Sequence, residues 1–196
     1  MDRKPVFDAV RPMLGRGFTA DEVTGIDAAL DQMLAAPVSR TLGAGGRALI
    51  RKWEGCGRRR ADGRFAAYPD PGSADGLPWT IGWGATGPGI GPGTLWTAAQ
   101  CDVRLERDLA RHAAEVAEAI GQAPTSINQF DALVSFHFNT GRIASATLAA
   151  KHIAGDFAGA RAEFGKWVYN GGKVLRGLVR RREDEAALYS SVTPGV

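Results

Sequence analysis

Leu49-Ile50-Arg51-Lys52-Trp53-Glu54-Gly55-Cys56 is the stretch on which the reading of this 196-residue chain turns. Leu49, Ile50 and Trp53 fall on one face of a short helix, Glu54 stands near its end, and Gly55 is placed to terminate it. Downstream the composition changes. Gly57 to Gly93 is rich in glycine and proline, with short β-like pieces around Phe65–Tyr68 and Trp79–Trp83, and reads as a small irregular sheet.

From Thr97 the pattern turns helical again. Thr97 with Gln100, and Ser126 with Gln129, form capping boxes, in which each side chain satisfies a backbone N–H at the other position. Val103, Leu105, Leu109, Val116 and Ile120 follow the first box, and Phe130, Leu133, Val134 and Phe138 follow the second, with Gly141 as the stop. Further helices are expected across Ala144–Ala154, Phe157–Tyr169 and Leu178–Tyr189. One helix, a small sheet and a helical lobe make the fold class α+β.

Upstream, Thr19 and Glu22 form another capping box, flanked by Phe18 and Val23 at the positions of a hydrophobic staple. Val23, Ile26, Leu30, Met33 and Leu34 continue at helical spacing. Val6, Phe7, Val10, Met13 and Leu14 predict a shorter helix before it, disturbed by Pro12. The expected organisation is therefore a helical hairpin over 1–36, a linker over 37–46 built from Ala/Pro and Gly-rich sequence, and a main domain over 47–196. The hairpin is expected to supply packing, a lid or a wall-binding appendage; its apolar stripe needs a cover.

Hydrophobic residues make up 44% and charged residues 23%, the profile of a globular chain with enough apolar surface for a core. The formal charge is +3 and arginine outnumbers lysine, which favours approach to a polyanion: nucleic acid, a membrane surface or an anionic cell wall. Cys56 and Cys101 form no C-x-x-C pattern; one disulfide is permitted and two reduced thiols are the expectation. The first residues show no secretory-signal pattern and no apolar run long enough for stable membrane insertion.

The chemistry most compatible with Glu54 is acid catalysis. Cleaving a glycosidic bond requires a proton for the leaving oxygen and a second carboxylate that acts on the oxocarbenium-like centre directly or through water. The last carbonyls of a helix and an apolar neighbour such as Trp53 disfavour charge on an acid at that position, while Arg51, Lys52 and Arg58–Arg60 act in the opposite sense. The second carboxylate has three candidates in the irregular region: Asp62, Asp70 and Asp75. Each is equally at home in an ordinary turn. Asp70 lies in Tyr68-Pro69-Asp70-Pro71-Gly72, where proline and glycine expose its side chain.

Taken together, Leu49–Cys56, Ala67-Tyr68-Pro69-Asp70-Pro71-Gly72 and Pro78-Trp79-Thr80-Ile81-Gly82-Trp83-Gly84-Ala85-Thr86 resemble the active-site region of the T4-like phage lysozymes, glycoside hydrolase family 24. Gln129–Phe136 through Gly141, Trp167–Lys173 and Gly177–Arg182 resemble its later parts, so the likeness runs from about Gly45 to Tyr189. The resemblance implies a lysozyme-like fold and an endolysin that hydrolyses the β-1,4 bond between N-acetylmuramic acid and N-acetylglucosamine in bacterial peptidoglycan. It implies the catalytic set Glu54, Asp70 and Thr80, no cofactor, no metal, a monomer, and residence in the host cytoplasm until a holin-like pore releases the protein. The intervals from Glu54 to Asp70 and from Asp70 to Thr80 exceed the family norm, through an arginine-rich segment over 57–65 and through Ser73–Leu77. Rival functions are a lytic transglycosylase and a non-catalytic wall-binding module on the same fold.

Other residues have plainer readings beside functional ones. Tyr68, Trp79 and Trp83 are candidates for stacking on sugar rings, or for packing the small sheet. His137 lies on the apolar face of its helix as a core histidine, and the three histidines show no metal-ligand spacing. Arg180-Arg181-Arg182, followed by Glu183, Asp184 and Glu185, reads as salt-bridged solvated surface; no nucleic-acid motif accompanies it.

Overall fold

In a computed structural model, residues 3–35, 40–70 and 75–191 are described. Ala36 of the expected hairpin, Pro37 to Ser39 of the expected linker, Pro71 to Ala74 with the turn expected there, and the side chains of Met33 and Leu34 lie outside the described residues. The chain divides into two compact units, residues 1–38 and 39–196.

The first unit holds α1 (Lys4–Leu14) and α2 (Ala20–Ala35). Pro12 sits inside α1 without ending it, and Gly15 closes it in the left-handed conformation. The Thr19–Glu22 box forms as expected: Thr19 N donates to Glu22 Oε2 at 2.9 Å and Glu22 N to Thr19 Oγ1 at 3.3 Å. Phe18 meets Phe7 edge-on, their ring centroids 5.2 Å apart, and Arg3 pairs with Asp27 at 3.1 Å.

The second unit opens with α3 (Ala44–Glu54), so residues 44–46 of the expected linker are helical. Four two-residue strands follow: β1 (Phe65–Ala66), β2 (Tyr68–Pro69), β3 (Trp79–Thr80) and β4 (Leu95–Trp96). β1 pairs antiparallel with β4, and β2 with β3. The long α4 (Ala98–Ile120) and the central α5 (Ile127–Thr140) come next, each with its capping box formed. A 3-10 turn (Ile143–Ser145), α6 (Thr147–Ile153), α7 (Phe157–Phe164), a hairpin of β5 (Tyr169–Asn170) and β6 (Lys173–Val174), and α8 (Arg176–Ser190) complete it. The result is the α+β, lysozyme-like architecture. No helix among the described residues is long and apolar enough to cross a membrane.

The core gathers around α5, buried continuously from Phe130 to His137. A side chain such as Leu133 or Phe136, fully removed from water, contributes about 1.5–3 kcal/mol. His137 is a core histidine: Nε2 donates to Glu115 at 2.6 Å while Nδ1 accepts from Ile143 N at 3.3 Å. Phe65, Ile81, Ala85 and Cys101 form a smaller core under the strands, with Cys56 against it; both cysteines are free thiols.

Four local expectations need correction. Val103 is 72% exposed, and α4 instead buries Cys101, Leu105, Leu109 and Ala113, a clean i, i+4 row. The helix from Phe157 stops at Phe164, with Gly165 at its C-cap, and Tyr169 instead enters a hairpin turned by Gly171 and Gly172, both at positive φ. The helix expected from Ala144 starts as a 3-10 turn and is α-helical only over Thr147–Ile153. Trp83 lies in a turn, and the strand at Leu95–Trp96 was not foreseen.

Candidate active site

Glu54 is positioned from both ends of its helix. At the N-terminus of α3, Asp131 of α5 accepts from Gly43 N at 2.6 Å and from Gly46 N at 2.7 Å, filling the role of a cap from outside the helix. Burial raises the Asp131 carboxyl above the ordinary carboxylate value, against the lowering pull of those two N–H groups and of Arg47. Ile50 is fully buried and keys the helix into the core. At the other end Gly55 N closes on Arg51 O at 3.2 Å, leaving Glu54 as the last helical residue with about a fifth of its side chain exposed.

The Glu54 carboxylate is held by α8. Arg181 Nη1 donates to Glu54 Oε1 at 2.8 Å, and Arg181 Nε reaches Glu185 Oε1 at 3.2 Å. Arg182 Nη2 donates to the same Glu185 oxygen at 2.9 Å and to Asn139 Oδ1 at 3.0 Å, with Ser135 Oγ donating to Glu185 at 2.8 Å. The expectation of a solvated Arg180–Arg182 surface holds for Arg180, which is exposed, and is overturned for Arg181 and Arg182, which are 4% and 1% exposed. Their charges are tolerable inside because Glu185, at i+4 and i+3, is buried with them. Burial raises the Glu185 carboxyl and lowers the Arg182 guanidinium, the shared cost of removing the cluster from water. The i, i+4 spacing was visible in the sequence; nothing local to it distinguished an inward from an outward face.

The opposite side comes from the strands. β2 and β3 pair with Tyr68 opposite Thr80 and Pro69 opposite Trp79, so Tyr68 and Thr80 share a face. Asp70 directly follows β2, and Asp70 N donates to Gly76 O at 3.1 Å, two residues off the β2–β3 register. The other two aspartates hold their own turns. Asp62 accepts from Arg64 N, Nε and Nη2 at 3.0, 3.1 and 2.9 Å, and these bonds keep its carboxyl below the usual range. Asp75 Oδ1 accepts from Leu77 N at 3.0 Å.

The two sides meet at the turn after Thr80. Ile81 and Ala85 exchange hydrogen bonds of 2.9 and 3.0 Å, and Gly57 N, just past α3, donates to Gly82 O at 3.0 Å. Gly84 has φ +86°, and a Cβ there would lie 3.2 Å from Glu54 Oε2. This turn therefore needs glycine twice over, for its backbone and for the open space in front of the carboxylate.

The aromatic candidates divide. Trp83 packs against both cores, its Nε1 donating to Asp102 Oδ1 at 2.9 Å and the Arg51 guanidinium lying 5.3 Å from its ring centroid. Trp53 likewise donates to Asp184 of α8 at 2.9 Å. Tyr68 and Trp79 are half-buried on β2 and β3, with the Arg58 guanidinium 5.1 Å from the Tyr68 ring centroid. Among the described residues no group of three His, Cys, Asp or Glu side chains is placed to hold a metal ion.

Comparison with known proteins bears on this geometry. The family model described as phage lysozyme matches residues 51–185, which includes Glu54, the strands and the first part of α8 through Glu185. An endolysin of Bacillus phage PZA is 42% identical over 118 residues, 59% of this chain and 45% of the relative. One of Lactococcus phage c2 is 36% identical over 146 residues, 72% of this chain and 57% of the relative, so the chain spans about half the length of these two relatives. The solved muramidase domain of SpmX from Asticaccaulis excentricus superimposes with a TM-score of 0.66 at 29% identity, covering 79% of this chain and all of that one. With that match running over more than half of the chain, the chain belongs to the phage lysozyme family.

Proposed function

We propose that this protein is a muramidase that hydrolyses the β-1,4 bond between N-acetylmuramic acid and N-acetylglucosamine in bacterial peptidoglycan. The observation that carries the reading is the placement of Glu54. One carboxylate oxygen rests on Arg181, and the other faces the glycine turn that follows Thr80. An acid held in one rotamer, with open space before its second oxygen, suits delivery of a proton to a bridging oxygen.

In this mechanism Glu54 gives its proton to the glycosidic oxygen as the C1–O bond breaks. Asp70 and Thr80 hold a water on the opposite face of the sugar; its oxygen bonds to C1 and its proton passes to Asp70. The products are a muramic acid reducing end and a free 4-hydroxyl, with inverted configuration at C1. Tyr68 and Trp79 are the proposed sugar contacts, whereas Trp83 contributes through its packing and its bond to Asp102. The residues over 47–196 form the catalytic domain in this reading and those over 1–36 an appendage. The protein acts at the cell wall as a monomer, after passage from the host cytoplasm through a holin-like pore.

The test is clearing of purified peptidoglycan by wild type and Glu54→Gln, with analysis of the released sugar ends. Loss of the acid is expected to slow clearing by about 10²–10⁴. Reducing ends from wild type and an inactive variant support the reading. Anhydro ends would assign a lytic transglycosylase and remove the roles given to Asp70 and Thr80. No clearing by either protein would leave a wall-binding module.

A further inference from the structure

The segment 57–64, Gly57-Arg58-Arg59-Arg60-Ala61-Asp62-Gly63-Arg64, carries four arginines against one aspartate. Its formal +3 equals the net charge of the whole chain, so the remaining residues together are neutral. The positive field of this protein thus has one local source.

The segment is an ordered hairpin. Arg59 bridges Phe65, Ala66 N donates to Arg58 O at 3.2 Å, and the tip is closed by Arg60 N to Arg64 O at 2.8 Å and Gly63 N to Arg60 O at 3.0 Å. All four arginines are exposed. Asp62 is occupied by Arg64 at 2.9 Å and Arg60 at 3.5 Å, and among the described residues Arg58 and Arg59 pair with no carboxylate.

Arg58 is also set in an unusual way. Its φ of +47° makes it the one non-glycine among the described residues in the left-handed region, a conformation that costs on the order of 1–2 kcal/mol. The conformation goes with a guanidinium lying over Tyr68, and Gly57 passes so close that a Cβ there would be 3.0 Å from the Tyr68 ring. A turn whose only task was to reverse the chain would be relieved by glycine at 58. Here the position holds an arginine, stacked on the tyrosine of β2, the strand that leads to Asp70.

We propose that Arg58 and Arg59 dock carboxylates of the stem peptides carried by the glycan. The proposal rests on the muramidase reading and names the feature of the wall that the site prefers. The position beside Tyr68 favours an anion borne by the bound glycan itself over one on a separate polymer. The planar, forked guanidinium suits the bidentate geometry of a carboxylate.

Binding tests this separately from catalysis. Co-sedimentation of the Glu54→Gln protein, with and without Arg58→Gln/Arg59→Gln, is measured on peptide-bearing sacculi and on glycan strands stripped of peptides by an amidase. Sacculi free of phosphate-containing polymers serve as the base substrate. The preference for peptide-bearing over stripped glycan is expected to fall by about three- to tenfold in the double variant, since each exposed pair contributes little alone. It should fall in the parent protein when salt is raised from about 0.05 to 0.3 M. Arg59→Gln alone should give a smaller loss, with the melting temperature of every variant showing that it is folded.

An equal loss on both glycans would overturn the proposal, as would no initial preference. A loss seen only on sacculi bearing phosphodiester polymers would overturn it in favour of a phosphate ligand. If wild type fails to clear peptidoglycan while the binding preference and its loss appear as described, the muramidase reading fails and the docking role stands.

Discussion

Arg181 Nη1 lies 2.8 Å from Glu54 Oε1, a bond between α8 and the end of α3 that spans 127 residues of sequence. The same guanidinium serves Glu185, which is fully buried. Arg181→Met removes one member of a buried charge cluster and leaves Glu185 short of a partner. The expected destabilisation is about 3–5 kcal/mol, measured by denaturant unfolding at pH 7. Clearing activity should fall by about 10²-fold even under conditions where the variant is folded, because Glu54 loses its fixed rotamer. A loss below about 1 kcal/mol would mean that the cluster relaxes around the gap.

Gly46→Ala tests the other end of α3. The added Cβ would meet Leu42 Cδ1 at 2.5 Å and Asp131 Cβ and Cγ at 2.9 Å. Overpacking of about 1–3 kcal/mol outweighs the helix propensity of alanine, up to about 1 kcal/mol. Gly177→Ala in α8 meets nothing within 4 Å and should be neutral or stabilising by about 0.5–1 kcal/mol. Thermal melts of the two variants should therefore move in opposite directions, or at least diverge clearly.

His152 predicts a pH dependence of stability. It is fully buried; Tyr189 Oη donates to Nδ1 at 2.6 Å, and Nε2 donates to Thr125 Oγ1 at 2.8 Å, whose hydroxyl goes on to Ala123 O at 2.7 Å. That chain satisfies a neutral ring, and burial, with Arg40 adding to it, depresses its proton affinity below the ordinary value of 6.5. The folded state then binds fewer protons than the unfolded one. The contribution is complete above the unfolded value and is lost as pH falls from 6.5 through the folded value. Melting temperatures between pH 7.5 and 4.5 should fall for wild type and fall less for His152→Gln. A residual slope is expected from His112, which burial depresses in the same direction. Identical slopes would refute the assignment.

Cys56 is two residues beyond Glu54 and packs against the small core. Burial, with Cys101 and Asp102 nearby, pushes its thiol up to about 12, so little thiolate exists at neutral pH. Iodoacetamide at pH 8 should label the native protein far more slowly than the unfolded chain, read by mass spectrometry. Labelling at the rate of a free thiol would show that the loop after α3 opens.

The sequence made legible whatever was encoded locally. The three capping boxes, the glycine stops at 55 and 141, and Glu54 at a helix end all depend on residues within a few positions of one another. Gly171-Gly172 announced the β5–β6 hairpin in the same local way and was overridden by the apolar pattern around it. What stayed illegible depends on distant partners. Arg181 and Arg182 look like any charged helix face until Glu54, Ser135 and Asn139 close over them. Trp83 and Trp79 share a composition and differ only in what packs on them. The register of β2 on β3, which brings Tyr68 opposite Thr80, follows from pairing across a turn of unfamiliar length.

Asp131 at one end of α3 and Arg181 at the other fasten the acid-bearing helix to α5 and α8, with none of that attachment drawn from the strands. The site is thus a fixed post facing an adjustable jaw. A change of length in the segment over 57–64 would reposition the jaw, while the post keeps its aim. In an enzyme of this kind the gap between carboxyl groups separates direct attack, at about 5–5.5 Å, from attack through water, at about 6.5–9.5 Å. Segment length in the strand region is then a lever on that gap which leaves untouched the lobe that keeps the protein folded.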